Sequence, residues 1–291
     1  MSTAVRFNKV HDLLEMIKFS HTVFAFPFAL MGVILASLAS GRAPSAVQVF
    51  WVCLAMVGAR TAAMSLNRII DAGIDKDNPR TAGRHIPAGR ISRLEAWLFV
   101  VAAVALLLLS AWMLNPLCFY LAPVALGFFV LYAYCKRFTS LAHIVLGICL
   151  AAAPIGAWIA LRGDVGWPVL ALGLAVLFWV AGFDIFYALQ DVEFDRSKGL
   201  HSIPVLLGVK NAILLGKVFH GLMVAFLLII PLGLPLGWIY YLGLAVVSGL
   251  IAYEHQLVKP DDLSRLDAAF FNMNGYISVT IFLFTLVDAL V

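Results

Sequence analysis

Charge is what this sequence has least of. Only 12% of its 291 residues are Asp, Glu, Lys or Arg, against 63% hydrophobic ones, and the mean hydropathy is +0.98. A chain so poor in charge cannot cover a water-soluble globule with polar surface, so its solvent is lipid. Cysteine is scarce too. Cys53, Cys118, Cys135 and Cys149 lack metal-ligand spacing and sit in or at the ends of apolar segments, which suits packing rather than a zinc site or a disulfide framework. No low-complexity tract, long linker or hydrophilic domain interrupts the chain, so a single domain over 1–291 is expected. A net charge of +4 requires no nucleic-acid partner.

What the sequence has in abundance is apolar runs long enough to cross a bilayer as helices. Nine are read, at 19–40, 46–66, 92–113, 116–134, 141–161, 167–188, 212–232, 236–253 and 270–290. The fold class expected is therefore an all-α integral membrane protein. The first run has basic residues before it and small ones after it, the outline of a cleavable signal peptide. It is longer than a signal core and eight further runs follow it, which favours a spanning helix. Every Lys and Arg except Arg42 and Arg162 falls on the side of the N-terminus, so the positive-inside rule puts the N-terminus in the cytoplasm and the C-terminus outside. Residues 5–18 mix apolar and charged positions at helical spacing, as an amphipathic surface helix would.

The outer connections are short and nearly uncharged. Two inner ones, 67–93 and 184–210, are long and rich in charge. They hold related patterns four runs apart, which suggests two similar four-helix halves and a ninth helix. In the first, Asn67, Asp71 and Asp75 lie at i, i+4 and i+8, one face of a helix if the second run continues. In the second, Asp184, Asp191 and Asp195 lie at i, i+7 and i+11, again one face, with Tyr187 alongside.

A lone Asp in such a place is usually a solvated helix end. Five carboxylates stacked without neutralising partners at i±4 would repel one another, however, and so favour a cation between them. Oxygen ligands without His or Cys indicate a hard cation, Mg²⁺ where a phosphate shares the coordination. Lys76, Arg80 and Arg84, then Lys136 and Arg137, then Arg196 and Lys198 surround the carboxylates in sequence. Arg90, Arg93 and Lys210 read equally well as ordinary inside flanks. Carboxylates with Mg²⁺, Lys and Arg form a clamp for a diphosphate leaving group, here one carried on a lipid.

At these residues the sequence resembles the UbiA superfamily of intramembrane aromatic prenyltransferases. The segments are 18–24, Asn67 to Asp75, Arg80-Thr81, Arg84 to Pro87, Tyr134 to Arg137 and Asp184 to Asp195. The nearest likeness is to the 4-hydroxybenzoate polyprenyltransferase group, including members assigned to menaquinone synthesis through the futalosine route. The resemblance implies nine transmembrane helices around a central cavity and an active site on the cytoplasmic side of a bacterial inner membrane. It implies transfer of a polyprenyl group from a polyprenyl diphosphate to 4-hydroxybenzoate or a similar acid for ubiquinone, or to 1,4-dihydroxy-6-naphthoate for menaquinone.

It further implies that Asn67, Asp71, Asp75, Asp191 and Asp195 hold the metal-diphosphate and that Arg80, Lys136 and Lys198 bind phosphates. Arg137 or Arg84 would hold the aromatic carboxylate, Tyr134 and Tyr187 would line the substrate site, and Asp184 or Asp191 would assist the acceptor hydroxyl. One departure is that Arg68 and Ile69 follow Asn67 where many relatives carry Asp or Tyr, which expects an extra positive charge near the phosphates. His21 and His143 are candidate bases, or equally helix caps. Phosphatidyltransferases of CDP-alcohols would show one continuous acidic stretch, which is lacking. A secondary transporter would place ionisable groups at mid-membrane depth, whereas nearly all lie at the inner ends of runs.

Overall fold

The computed structural model describes residues 3–18, 25–258 and 273–291. Among these the chain is helical without strands: α1 Thr3–Met16, α2 Phe26–Ser40, α3 Ala46–Asp77, α4 Arg93–Leu114, α5 Pro116–Cys135, α6 Ala142–Arg162, α7 Trp167–Ala188, α8 Val192–Ser197, α9 Ile203–Ile229, α10 Trp238–Leu257 and α11 Asn274–Leu290. Each apolar run of the sequence coincides with a helix. Six, namely α3, α4, α5, α6, α7 with its continuation, and α9, are long and apolar enough to cross a membrane. The apolar helices α2 and α11 have only 15 and 17 described residues, and α10, of 20, ends on the polar Glu254-His255 pair. The beginnings of the first and last runs, and His21, lie outside the described residues.

The helix ends are written in the sequence. Ser92 accepts from the backbone N–H of Glu95 while Glu95 accepts from that of Ser92, a reciprocal cap that starts α4 after the charged loop. Gly163 sits at φ 72 and closes α6, a left-handed position that a Cβ would strain. Asn115 caps the turn into α5 by accepting from Cys118 N–H.

The chain falls into two compact units. The first comprises 1–22 and 51–134, the second 23–50 and 135–291. They are unequal and interleaved in sequence, so they do not correspond to the two four-helix halves expected from motif spacing. In the first unit, α3 and α4 approach at Gly58, where a Cβ would stand 2.8 Å from the Leu107 nitrogen and 2.9 Å from the Ala103 oxygen. Lipid offers little hydrophobic force between helices, so such small-residue contacts supply close van der Waals packing instead. The second unit has a core of α2, α6, α7, α9, α10 and α11 around Trp179, Phe28, Leu172, Met223, Tyr240 and Ile277. Tyr240 satisfies its buried hydroxyl by donating to Leu227 O at 2.7 Å.

Inside that second core lies a polar cluster that the sequence reading did not anticipate. His220 Nε2 meets Trp179 O at 3.3 Å, and a carbonyl only accepts, so Nε2 carries the proton. Nδ1 is then the acceptor for His255 Nε2, 2.8 Å away. Glu254, 1% exposed, lies 3.9 Å from the same Nδ1. His220 is thus an ionisable group in the middle of α9, hydrogen-bonded to His255 from the last turn of α10.

Candidate active site

The first acidic motif occupies the far end of α3. At about 1.5 Å per residue, Asn67 lies about 32 Å from the start of this helix, so the segment before the motif is long enough to cross a bilayer core of about 30 Å. The helix runs unbroken to Asp77, and the expected shared face of Asn67, Asp71 and Asp75 follows from it. Asn67 Nδ2 donates to Asp71 Oδ2 at 3.0 Å. Asp71 and Asp75 are each 3% exposed.

Asp75 has the neutralising partner that helical spacing could not reveal. Arg84 Nη1 donates to both of its oxygens, at 2.6 and 2.8 Å. The intervening loop folds back by local bonds: Thr81 Oγ1 donates to Asp75 O at 3.1 Å, and the Asn78 side chain accepts from Arg80 N–H at 2.9 Å. Asp75 is therefore an ion-pair partner in this structure, which corrects the picture of carboxylates left without a counter-charge. Arg80 itself is exposed.

The same loop is pinned to α1. His85 Nε2 meets Glu15 Oε2 at 3.2 Å, and Lys9 Nζ donates to Arg90 O at 3.0 Å. The hydrogen bond from His85 holds Glu15 below the usual carboxylate range, and burial, with Arg90 nearby, holds His85 below the usual imidazole value. Arg60 Nη2 donates to Lys18 O at 3.2 Å and Arg68 Nε to Met16 O at 3.3 Å. The unusual Arg68 thus contacts the C-terminal end of α1, a use that the expectation of a phosphate neighbour missed. A basic side chain on orphan carbonyls is a common helix end.

The second motif is not one continuous α-helix. α7 ends at Ala188, a 3₁₀ turn covers Leu189–Asp191, and α8 runs from Val192. Three residues at about 120° rather than 100° advance the face by about 60°, so Asp184 is out of phase with Asp191 and Asp195 relative to the expected alignment. Asp191 and Asp195 are half-buried and Tyr187 beside them is too. α8 closes with a full Schellman pair: Gly199, at φ 65, donates to Arg196 O, and Leu200 donates to Asp195 O at 2.8 Å. His201 N–H then donates to Lys136 O at 2.8 Å, tying the loop after the second motif to the Lys136-Arg137 turn. Lys198 is exposed, Lys136 and Arg137 are half-buried, and Tyr134 is 45% exposed at the end of α5.

His143, 3% exposed, joins Asp184 to α9. Its Nδ1 lies 2.7 Å from Asp184 Oδ2 and its Nε2 accepts from Ile203 N–H at 3.4 Å. It does cap a helix, one of the two roles the sequence left open, and its contact with Asp184 is new.

The first-motif donors fit a hard cation. Asp71 offers buried carboxylate oxygen, and Asn67, whose amide nitrogen is engaged with Asp71, presents its amide oxygen. A separate group, His11, Asp12 and Glu15 on α1, brings ligand atoms within 4.8 Å of one another, but it is largely exposed and Glu15 is engaged by His85.

The model of the UbiA prenyltransferase family matches residues 25–276. The chain is 34% identical over 229 residues to a 4-hydroxybenzoate octaprenyltransferase of Idiomarina loihiensis, covering 76% of this chain and 77% of that protein. The apo structure of a UbiA homologue from Aeropyrum pernix K1 superposes with a TM-score of 0.83 at 34% identity, over 92% of this chain and 98% of the other. A UbiA homologue from Archaeoglobus fulgidus bound to GPP and Mg²⁺ shares the fold, with a TM-score of 0.68 at 22% identity over 96% of this chain and all of that one.

Proposed function

The chain belongs to the UbiA prenyltransferase family, and from that membership we propose that it transfers a polyprenyl group from polyprenyl diphosphate to the ring of a hydroxylated aromatic acid, 4-hydroxybenzoate or a close analogue, in respiratory quinone biosynthesis. The observation that carries the acceptor is the likeness, over about three quarters of both chains, to a 4-hydroxybenzoate octaprenyltransferase. The whole chain acts as one catalytic domain in a bacterial cytoplasmic membrane, with its site toward the cytoplasm. The strong positive-inside bias supports that orientation.

Overall, a ring C–H bond and the allylic C–O bond break, a ring–prenyl C–C bond forms, and diphosphate and a proton leave. Asn67, Asp71 and Asp75 in one motif and Asp191 and Asp195 in the other are the metal ligands in this reading, and the archaeal homologue bound to Mg²⁺ supports that ion. Bound there, Mg²⁺ supplies electrostatic stabilisation of the leaving diphosphate. Arg80, Lys136 and Lys198 donate hydrogen bonds to phosphate oxygens and oppose their charge. Arg137 pairs with the acceptor carboxylate. Arg84, whose Nη1 already donates to both oxygens of Asp75, sets that carboxylate's position instead. Asp184 accepts a hydrogen bond from the acceptor hydroxyl, which enriches the ring as the prenyl carbon approaches. Tyr134 and Tyr187 border the substrates. Phe183 packs edge-on against Trp179, and Phe186 against His220 and His255, so both belong to the core on which this end of α7 rests.

The test is transfer by purified protein in liposomes with a polyprenyl diphosphate, Mg²⁺ and either 4-hydroxybenzoate or 1,4-dihydroxy-6-naphthoate. Product from 4-hydroxybenzoate is expected, with losses of at least about 100-fold in Asp71→Ala and Asp191→Ala and on chelation. Product from the naphthoate alone reassigns the acceptor and the quinone; unchanged activity in both variants removes the motifs from the site.

A further inference from the structure

His143 is the middle link of a chain of bonds that begins at the first turn of α9 and ends on Asp184. The opening N–H groups of a helix have no intrahelical partners. Here those from Ile203 onward are accounted for. Ile203 N–H donates to His143 Nε2 at 3.4 Å, Pro204 has no N–H, Val205 N–H donates to Ser202 Oγ at 3.3 Å, and Leu206 N–H starts the ladder on Ser202 O. An amide N–H only donates, so Nε2 of His143 holds the lone pair and Nδ1 holds the proton. That proton points at Asp184 Oδ2, 2.7 Å away. With its single lone pair occupied by a backbone donor, His143 is not placed to act as a base. What it does is fix one oxygen of Asp184, whose side chain keeps 17% exposure against 4% for the imidazole.

We propose that His143 is a positioning residue for prenyl transfer. It locks the Asp184 carboxylate in one orientation so that the acceptor hydroxyl meets a fixed oxygen, and it draws that rigidity from the α9 N-terminus. The inference rests on the reading that Asp184 engages the acceptor. It places the effect of His143 in the aromatic half of the reaction and leaves the diphosphate half alone.

The experiment is a double-mutant cycle on full-length protein in liposomes, with kcat and KM measured separately for the aromatic acid and the polyprenyl diphosphate. Variants are His143→Leu, His143→Gln, Asp184→Asn and the Leu/Asn double. Gel-filtration profile and unfolding midpoint verify that each is folded. His143→Leu is expected to lower kcat/KM for the aromatic acid about 10- to 100-fold. KM for the diphosphate should stay within about twofold, and adding His143→Leu to Asp184→Asn should cost no more than about twofold further. His143→Gln, whose amide both donates and accepts, recovers most of the loss. An equal penalty from His143→Leu in both backgrounds, a rise in diphosphate KM instead, or a folded His143→Gln as poor as His143→Leu overturns the proposal. Wild-type transfer matched by His143→Leu also overturns it, while the transfer reading stands. Full activity in Asp184→Asn overturns the role of Asp184 and this one with it. A wild type that prenylates no aromatic acid brings down the transfer reading as well.

Discussion

Asp75 sits between two demands, the Arg84 guanidinium that neutralises it here and the cation assigned to its motif. Its side chain is 4% exposed and that of Arg84 24%. Removing one partner of a buried pair strands the other, typically at about 3–5 kcal/mol. Arg84→Ala is therefore expected to lower the unfolding midpoint in detergent, with Mg²⁺ restoring part of the loss as the cation replaces the missing charge. A midpoint that falls but ignores Mg²⁺ would remove Asp75 from the ligand set. Asn67, Asp71 and Asp75 were legible as a group because an unbroken helix returns i+4 and i+8 to one face. Arg84 was not legible as the partner of Asp75, nor Arg68 as a contact of α1. Both meetings depend on how non-helical chain folds back, and spacing carries no information about that.

At the level of elements, α1 is held to the loop after α3 by a contact that depends on pH. Glu15 is held below its usual value of 4.5 by the His85 hydrogen bond, and His85 below 6.5 by burial. Both shifts have one sign: the docked state binds fewer protons than the undocked one. Its stability is thus complete above the usual imidazole value and falls as pH drops through that value and then through the carboxylate range. Amide hydrogen exchange in α1, corrected for the intrinsic rate, should be faster at pH 5.5 than at 7.5. In His85→Phe, which cannot make the bond, the histidine part of that difference should vanish. Identical protection at both values would show that the helix is held by contacts that do not titrate in this range, the burial of Met16 and Ile17 and the bonds of Arg60, Arg68 and Lys9. The second motif teaches the opposite lesson to α3. A 3₁₀ turn at Leu189–Asp191 altered the face that a uniform α-helix predicted, and nothing in Leu-Gln-Asp marks that change of pitch.

For the molecule as a whole, the charge distribution carries a topology that experiment can read. With the N-terminus inside and an odd number of spans, a C-terminal reporter active only outside the cytoplasm should report when fused after Val291, and one placed in the 78–91 loop should be silent. The reverse pattern would mean an even number of spans or the opposite orientation. By itself the sequence determined the lipid environment, the helical class, the apolar runs and the residues of both acidic motifs, because hydropathy and helical period act over short stretches of chain. Only the tertiary structure decided that Arg84 serves Asp75, that His143 bridges Asp184 to the first turn of α9, and that His220 and His255 share a hydrogen bond. Those pairings join residues from 9 to 60 positions apart, and a buried polar group finds whichever partner packing brings within reach.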